Sequence, residues 1–129
     1  MTTYDGDPVV WPGHPDEFAE QLAQLQERLA AGEDLKSVVR GLARIATSYE
    51  LALDQAVGEF IRRCAAGETE HVVEQARHLV DVDDASRRCK RAVGQLQSSY
   101  DRGVDTEVAA AGTQTIAALR QLVATAAAR

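Results

Sequence analysis

The chain has 129 residues, of which 45% are hydrophobic and 26% charged, a composition typical of one globular domain. The formal net charge of -6 repels phosphate backbones and anionic lipids, so we expect neither nucleic acid nor a membrane as a partner. Aromatic residues make up only 5% of the chain, and no apolar run approaches the ~18 residues of a membrane span. Alanine, leucine and glutamate are frequent, which favours helices over sheets.

The N-terminal arm, residues 1–14, is predicted to be irregular because prolines and glycines interrupt it. Its only apolar run is Val9, Val10 and Trp11. One interpretation is that Trp11 covers an end of the core. The other is that these three residues anchor a partner protein, because tryptophan is enriched at the energetic centres of interfaces.

A single helical domain is predicted for residues 15–129, as an all-α, antiparallel up-down bundle of about four helices. The glycines Gly32, Gly67 and Gly103 are 35 and 36 residues apart and are expected to end the first three helices. The predicted helices span about 15–31, 34–66, 69–101 and 105–127. The two central helices are the longest.

Each predicted helix carries apolar residues at spacings of three and four, which is the pattern of a bundle helix. The main stripes are Phe18, Leu22, Leu25 and Leu29; Leu35, Val38, Leu42, Ile45, Tyr49, Ala52, Ala56 and Phe60; Leu79, Val82, Ser86, Cys89, Val93, Leu96 and Tyr100; and Val108, Ala111, Thr115, Ala118 and Leu122. A second stripe broadens the apolar face of the second helix, and it contains Val39, Ala46, Leu53, Val57, Ile61 and Cys64.

The polar and acidic first residues do not resemble a secretory signal peptide. We therefore expect Cys64 and Cys89 to be reduced thiols of a cytoplasmic protein. Export by a route without a cleaved signal is the alternative. Trp11, Pro12 and Gly13 spell Trp-x-Gly, which resembles the motif of the small helical-hairpin proteins exported by type VII secretion. That resemblance implies an adaptor or export-associated partner acting through the arm. In that family, however, the motif lies between two helices.

A candidate metal site lies at the predicted start of the third helix. His71, Glu74 and His78 follow one another at spacings of three and four, and Glu68 with His71 forms a Glu-x-x-His pair. Imidazole and carboxylate groups one turn apart can bind zinc or iron. The pair resembles half of the ferritin-like di-iron motif, which implies a carboxylate-histidine metal protein. A second Glu-x-x-His is absent from the sequence, so a dimer would have to supply the other half.

The leading hypothesis is a non-catalytic interaction or scaffold protein that self-associates through its helix faces, with a dimer favoured. The sequence contains no complete set of catalytic residues. The predicted central helices extend beyond their shorter neighbours, and this leaves apolar surface for a second subunit to cover.

Overall fold

The computed structural model describes Trp11 and residues 15–128. Four helices make up the described chain: α1 (Pro15–Ala31), α2 (Leu35–Ala65), α3 (Val72–Arg102) and α4 (Asp105–Ala127). The predicted all-α bundle with two long central helices and two shorter flanking helices is confirmed.

The three predicted glycine turns all adopt left-handed backbone conformations. Gly32, Gly67 and Gly103 have φ angles of 68°, 83° and 72°. At the end of α3 the backbone N–H of Gly103 donates to the carbonyls of Ser99 and Tyr100. This left-handed capping arrangement stops the helix and reverses the chain, and glycine adopts it without a side-chain penalty.

The turn between α2 and α3 is longer than the sequence indicates. His71 also has a positive φ of 59°, and α3 begins at Val72 rather than near residue 69. Residues 68 to 71 therefore belong to the turn. The helical spacing that relates Glu68 to His71 in the sequence does not apply to the folded chain.

The helices pack in a cyclic order. α3 contacts α2 and α4, α1 contacts the same two helices from the other side, and α2 touches α4 across the diagonal. Leucines from every helix meet in the centre, where Leu22, Leu42, Leu96 and Leu119 are at most 1% exposed. Small residues bring α4 close to its neighbours: a Cβ on Gly112 would lie 2.6 Å from a methyl carbon of Leu29 in α1.

The core does not extend along the full length of α2 and α3. The last buried residue of α2 is Ala56 and the first of α3 is Leu79. The intervening stretch, residues 57–78, is described throughout and contains no buried side chain. We call it the distal hairpin.

The helix α1 does not cover the distal hairpin, because the start of α1 is level with a residue of α2 that comes before the hairpin. The ring of Phe18 in α1 lies 5.5 Å from that of Tyr49 in α2. This contact sets the first residue of α1 level with about residue 52 of α2, so the last ~20 Å of α2 extends beyond α1. The end of α4 shares a groove with His78 and so lies near the start of α3.

Candidate interaction surface

The four predicted metal ligands are distributed over the turn and the first two turns of α3. Glu68 lies in the turn, where its carboxylate is 3.3 Å from the Arg63 guanidinium. Nδ1 of His71 is 3.4 Å from the Glu74 carboxylate, and both side chains are exposed. Among the described residues, no three His, Cys, Asp or Glu side chains are grouped so as to hold a metal ion. Zinc or iron binding stays a prediction, and elemental analysis of the purified protein tests it.

His78 takes part in an aromatic cluster. Its ring lies edge-on to Trp11 with the centroids 6.0 Å apart, and Trp11 stacks on Tyr49 at 6.1 Å. Trp11 is half-buried and packs against the core. Val9 and Val10, predicted with Trp11 as a partner-binding segment, lie outside the described residues. The described part of the arm thus packs where α2 extends past the start of α1, and binding of a partner by the arm stays a prediction.

Two groups in the core have raised pKa values because burial disfavours their charged forms. Burial raises the pKa of Tyr49 to about 12, and burial likewise raises the pKa of Cys89 to about 12 against a smaller opposing effect of Arg88. Both cysteines are free thiols; Cys89 is buried and Cys64 is half-buried. A thiol with a raised pKa is a poor nucleophile at neutral pH, so Cys89 acts as a core residue.

Exposed aliphatic side chains are concentrated on the outer side of the α2–α3 pair. Leu51 and Ile61 on α2 are 59% and 61% exposed. Leu51 follows the buried Tyr49 by two residues, which turns it about 200° around the helix, onto the side away from the core. Val57 is seven residues after Glu50, whose carboxylate contacts Lys90 of α3. Val57 therefore lies at the boundary between the two helices.

The same outer side continues on α3. Val73 and Val80 are each 58% exposed and lie seven residues apart, so they share one helical face. Val80 precedes the fully buried Val82 by two residues, which places that face away from the core. Five aliphatic residues therefore form what we call the outer patch: Leu51, Val57, Ile61, Val73 and Val80. Among the residues the structure describes, Val104 is the one other large aliphatic side chain with comparable exposure.

Charged residues of both signs border the outer patch. On α2, Asp54 and Arg62 lie on either side of Gly58, and Arg62 also pairs with Glu59. On α3, the carboxylate of Asp83 is 2.9 Å from the Arg87 guanidinium, as the acid-first spacing of four predicts. A polar border around an apolar centre is the usual composition of a protein–protein interface.

The open grooves between α3 and α4 differ from the outer patch in the polarity of the side chains that line them. One, of about 630 Å³, is lined mainly by polar side chains that include Arg91, Gln95 and Arg102. Arg102 is already held by Glu107 of α4 at 2.8 Å. The side chains that line this groove are therefore mostly polar and partly paired, unlike those of the outer patch.

Sequence reasoning identified part of the outer patch and assigned it wrongly. Val57 and Ile61 were predicted to flank the core, together with Val39 and Leu53. Val39 and Leu53 are indeed buried, whereas Ile61 is 61% exposed. Val73 and Val80 were not singled out, although their seven-residue spacing on an otherwise polar face is a signal that the sequence contains.

Comparison of the chain with protein-family models, with curated proteins and with solved structures finds no match in any of the three. Within residues 15–128, none of the helices combines the length and the apolar character that crossing a membrane requires.

Proposed function

We propose that the chain is a non-catalytic helical interaction protein that self-associates through the outer patch. The observation that carries the proposal is the exposure of five aliphatic side chains that helical spacing places on the side of α2 and α3 away from the core. Solvent-exposed apolar clusters with a polar border are typical of association surfaces.

The energetics favour a concentration-dependent complex. Covering the exposed half of each aliphatic side chain contributes about 1 kcal/mol, so the patches of two copies together contribute about 10 kcal/mol. Association costs roughly 4–15 kcal/mol in lost freedom of motion. The apolar contribution is comparable with this cost, so we expect a reversible dimer that dissociates on dilution.

Sedimentation equilibrium from low micromolar to submillimolar concentration tests the proposal. We expect the average mass to rise from that of a monomer to that of a dimer. The double substitution Ile61→Gln with Val80→Gln removes apolar area from both helices and uses a good helix former. It should raise the dimer dissociation constant at least tenfold.

Val104→Gln is the matched control. Val104 is exposed to a similar degree as Val57 but lies in the α3–α4 connection, far from the patch. Its substitution should leave the dissociation constant unchanged. Wild-type protein that remains a monomer at every concentration would overturn the proposal, as would equal effects of the patch and control substitutions. Circular dichroism checks that each variant is helical.

A further inference from the structure

Four glycines lie inside helices, and the packing of the chain explains only two of them. A Cβ on Gly112 would lie 2.6 Å from Leu29, and one on Gly41 would lie 3.2 Å from Leu25. Both positions are occupied by glycine because side chains of α1 lie too close to leave room for a larger residue. A Cβ on Gly58 or Gly94 would meet nothing within 4 Å. A glycine in a helix interior lowers helix stability relative to alanine, and no contact with a described residue requires one at Gly58.

Gly58 lies in the middle of the outer patch. It is seven residues after Leu51 and three before Ile61, so it shares their side of α2. It is also seven residues before the end of α2, while Val80 is eight residues after the start of α3. In an antiparallel hairpin these offsets place Gly58 and Val80 at about the same height.

Two opposite charges on this side of α2 are placed at equal distances from Gly58. Asp54 precedes it by four residues and Arg62 follows it by four. These two side chains are eight residues apart, about 12 Å along the helix, and so do not pair with each other. Asp54 has no ion-pair partner among the described residues, whereas Arg62 is paired with Glu59 one turn before it and would exchange or share that partner with Asp54 of a second copy.

We infer that the second copy crosses at Gly58, with its α2 antiparallel to the first and a two-fold axis passing beside this residue. The inference rests on the proposed self-association. A two-fold axis at Gly58 places each residue before it opposite the residue equally far after it in the other copy. Asp54 of each copy then faces Arg62 of the other, and Leu51 faces Ala65. The bare backbone at Gly58 lets the two helices approach closely.

The alternative parallel arrangement of α2 against α2 places Asp54 against Asp54 and Arg62 against Arg62. Opposing like charges across an interface select against that arrangement. The symmetric charge arrangement is also what identifies the occupant of the patch as a second copy of this chain, because the surface is complementary to itself.

Gly58→Ala tests the crossing point, because it moves two measured quantities in opposite directions. The added methyl group favours the helix and should raise the melting temperature by a few degrees. It also separates the two copies and should raise the dimer dissociation constant at least tenfold. Gly94→Ala is the control: it adds the same methyl group to a helix in open space and should raise the melting temperature without affecting association.

Exchanging the charges tests the antiparallel arrangement. Asp54→Arg places two arginines opposite each other at both ends of the contact, and Arg62→Asp does the same with aspartates. Each single substitution should weaken the dimer at least tenfold, and the double substitution should restore the dissociation constant to within a few fold of the wild type.

The outcomes separate the two proposals. Wild-type protein that never dimerises overturns both of them. If Gly58→Ala leaves the dimer dissociation constant unchanged, the crossing at Gly58 is wrong. The same holds if the double charge substitution weakens the dimer by the product of the two single effects. In both cases self-association through the outer patch still stands.

Discussion

The two ends of α2 carry the same apolar periodicity and have different surroundings. In the half that packs against α1, Leu42 is completely buried and Leu53 is 5% exposed. In the distal hairpin the periodicity continues through Val57 and Ile61, yet no side chain between residues 57 and 78 is buried. The comparison teaches that a stripe of apolar residues identifies the face of a helix that is to be covered. It does not identify the chain that covers it.

The largest expected difference between the bundle core and the distal hairpin is in how much free energy of unfolding is lost when a leucine or isoleucine is replaced by alanine. Leu119→Ala removes a fully buried side chain and should lower the free energy of unfolding by about 2–5 kcal/mol, because it leaves a cavity. Ile61→Ala in the distal hairpin should cost less than about 1 kcal/mol at concentrations where the protein is a monomer. Urea denaturation measures both. Equal losses would show that the distal hairpin is as well packed as the bundle.

Alkaline pH should destabilise the bundle through Tyr49 and Cys89. Burial raises the pKa of Tyr49 from 10.0 and that of Cys89 from 9.0, in each case to about 12. The folded state keeps protons that the unfolded chain loses. Stability is therefore complete below about pH 9 and falls as the pH rises towards 12, by about 3 kcal/mol through Tyr49 and about 4 kcal/mol through Cys89.

Urea denaturation at several pH values between about 8 and 11 measures this dependence. Cys89→Ala provides the control, since it removes the thiol contribution and should reduce the loss that begins near pH 9. A free energy of unfolding that does not change over this range would contradict the assignment of both groups to the core.

Substitution of Trp11 should have an intermediate effect on the free energy of unfolding. This residue is half-buried, and it packs where the four-helix part of the bundle meets the distal hairpin. Trp11→Ala removes the stacking on Tyr49 and the contact with His78, and should lower the free energy of unfolding by about 1–2 kcal/mol. Trp11→Phe should retain most of that stability. Unchanged stability in Trp11→Ala, combined with loss of binding to another protein, would instead favour the arm as a partner-binding segment.

The smallest effects come from two glycine substitutions with opposite signs. Gly112→Ala forces Leu29 to move, and the overpacking should exceed the gain in helix propensity and lower stability by about 1 kcal/mol. The methyl group added by Gly58→Ala meets none of the residues that the structure describes and should raise monomer stability by up to about 1 kcal/mol. Thermal unfolding of both variants below the dimer dissociation constant gives the comparison. Stability changes of the same sign in both variants would contradict the conclusion that Gly112 is tightly packed and Gly58 is not.

The sequence was sufficient for the helices and for most of the core. Spacings of three and four identified Phe18, Leu22 and Leu29 in α1, and all three are buried. Glycine identified the turns, since it reaches the left-handed backbone conformation most readily. The start of α3 was predicted three residues too early because His71 adopts the same conformation without being glycine.

For the candidate site, the sequence predicted that the central helices extend past their neighbours, but it did not show that Val57 and Ile61 are exposed or that Val73 and Val80 belong with them. The overhang of long helices past short ones follows from helix lengths, and these were read correctly from the glycine spacing. The metal hypothesis placed His71 on one helical face with Glu74 and His78, whereas His71 belongs to the turn before α3. Val73 and Val80 lie on a face that is mostly polar, so a search for core stripes passes over them.

The sequence by itself determined which residues form helices, where those helices turn and which face of each is apolar, because these properties depend on local backbone preferences and on a period of 3.6 residues. Only the tertiary structure decided how far along α2 and α3 the shorter helices reach. That depends on side-chain packing between residues distant in the chain, such as Phe18 against Tyr49 and Leu29 against Gly112. The same packing leaves Gly58 in open space and the outer patch exposed, and so gives the chain a surface with which to associate.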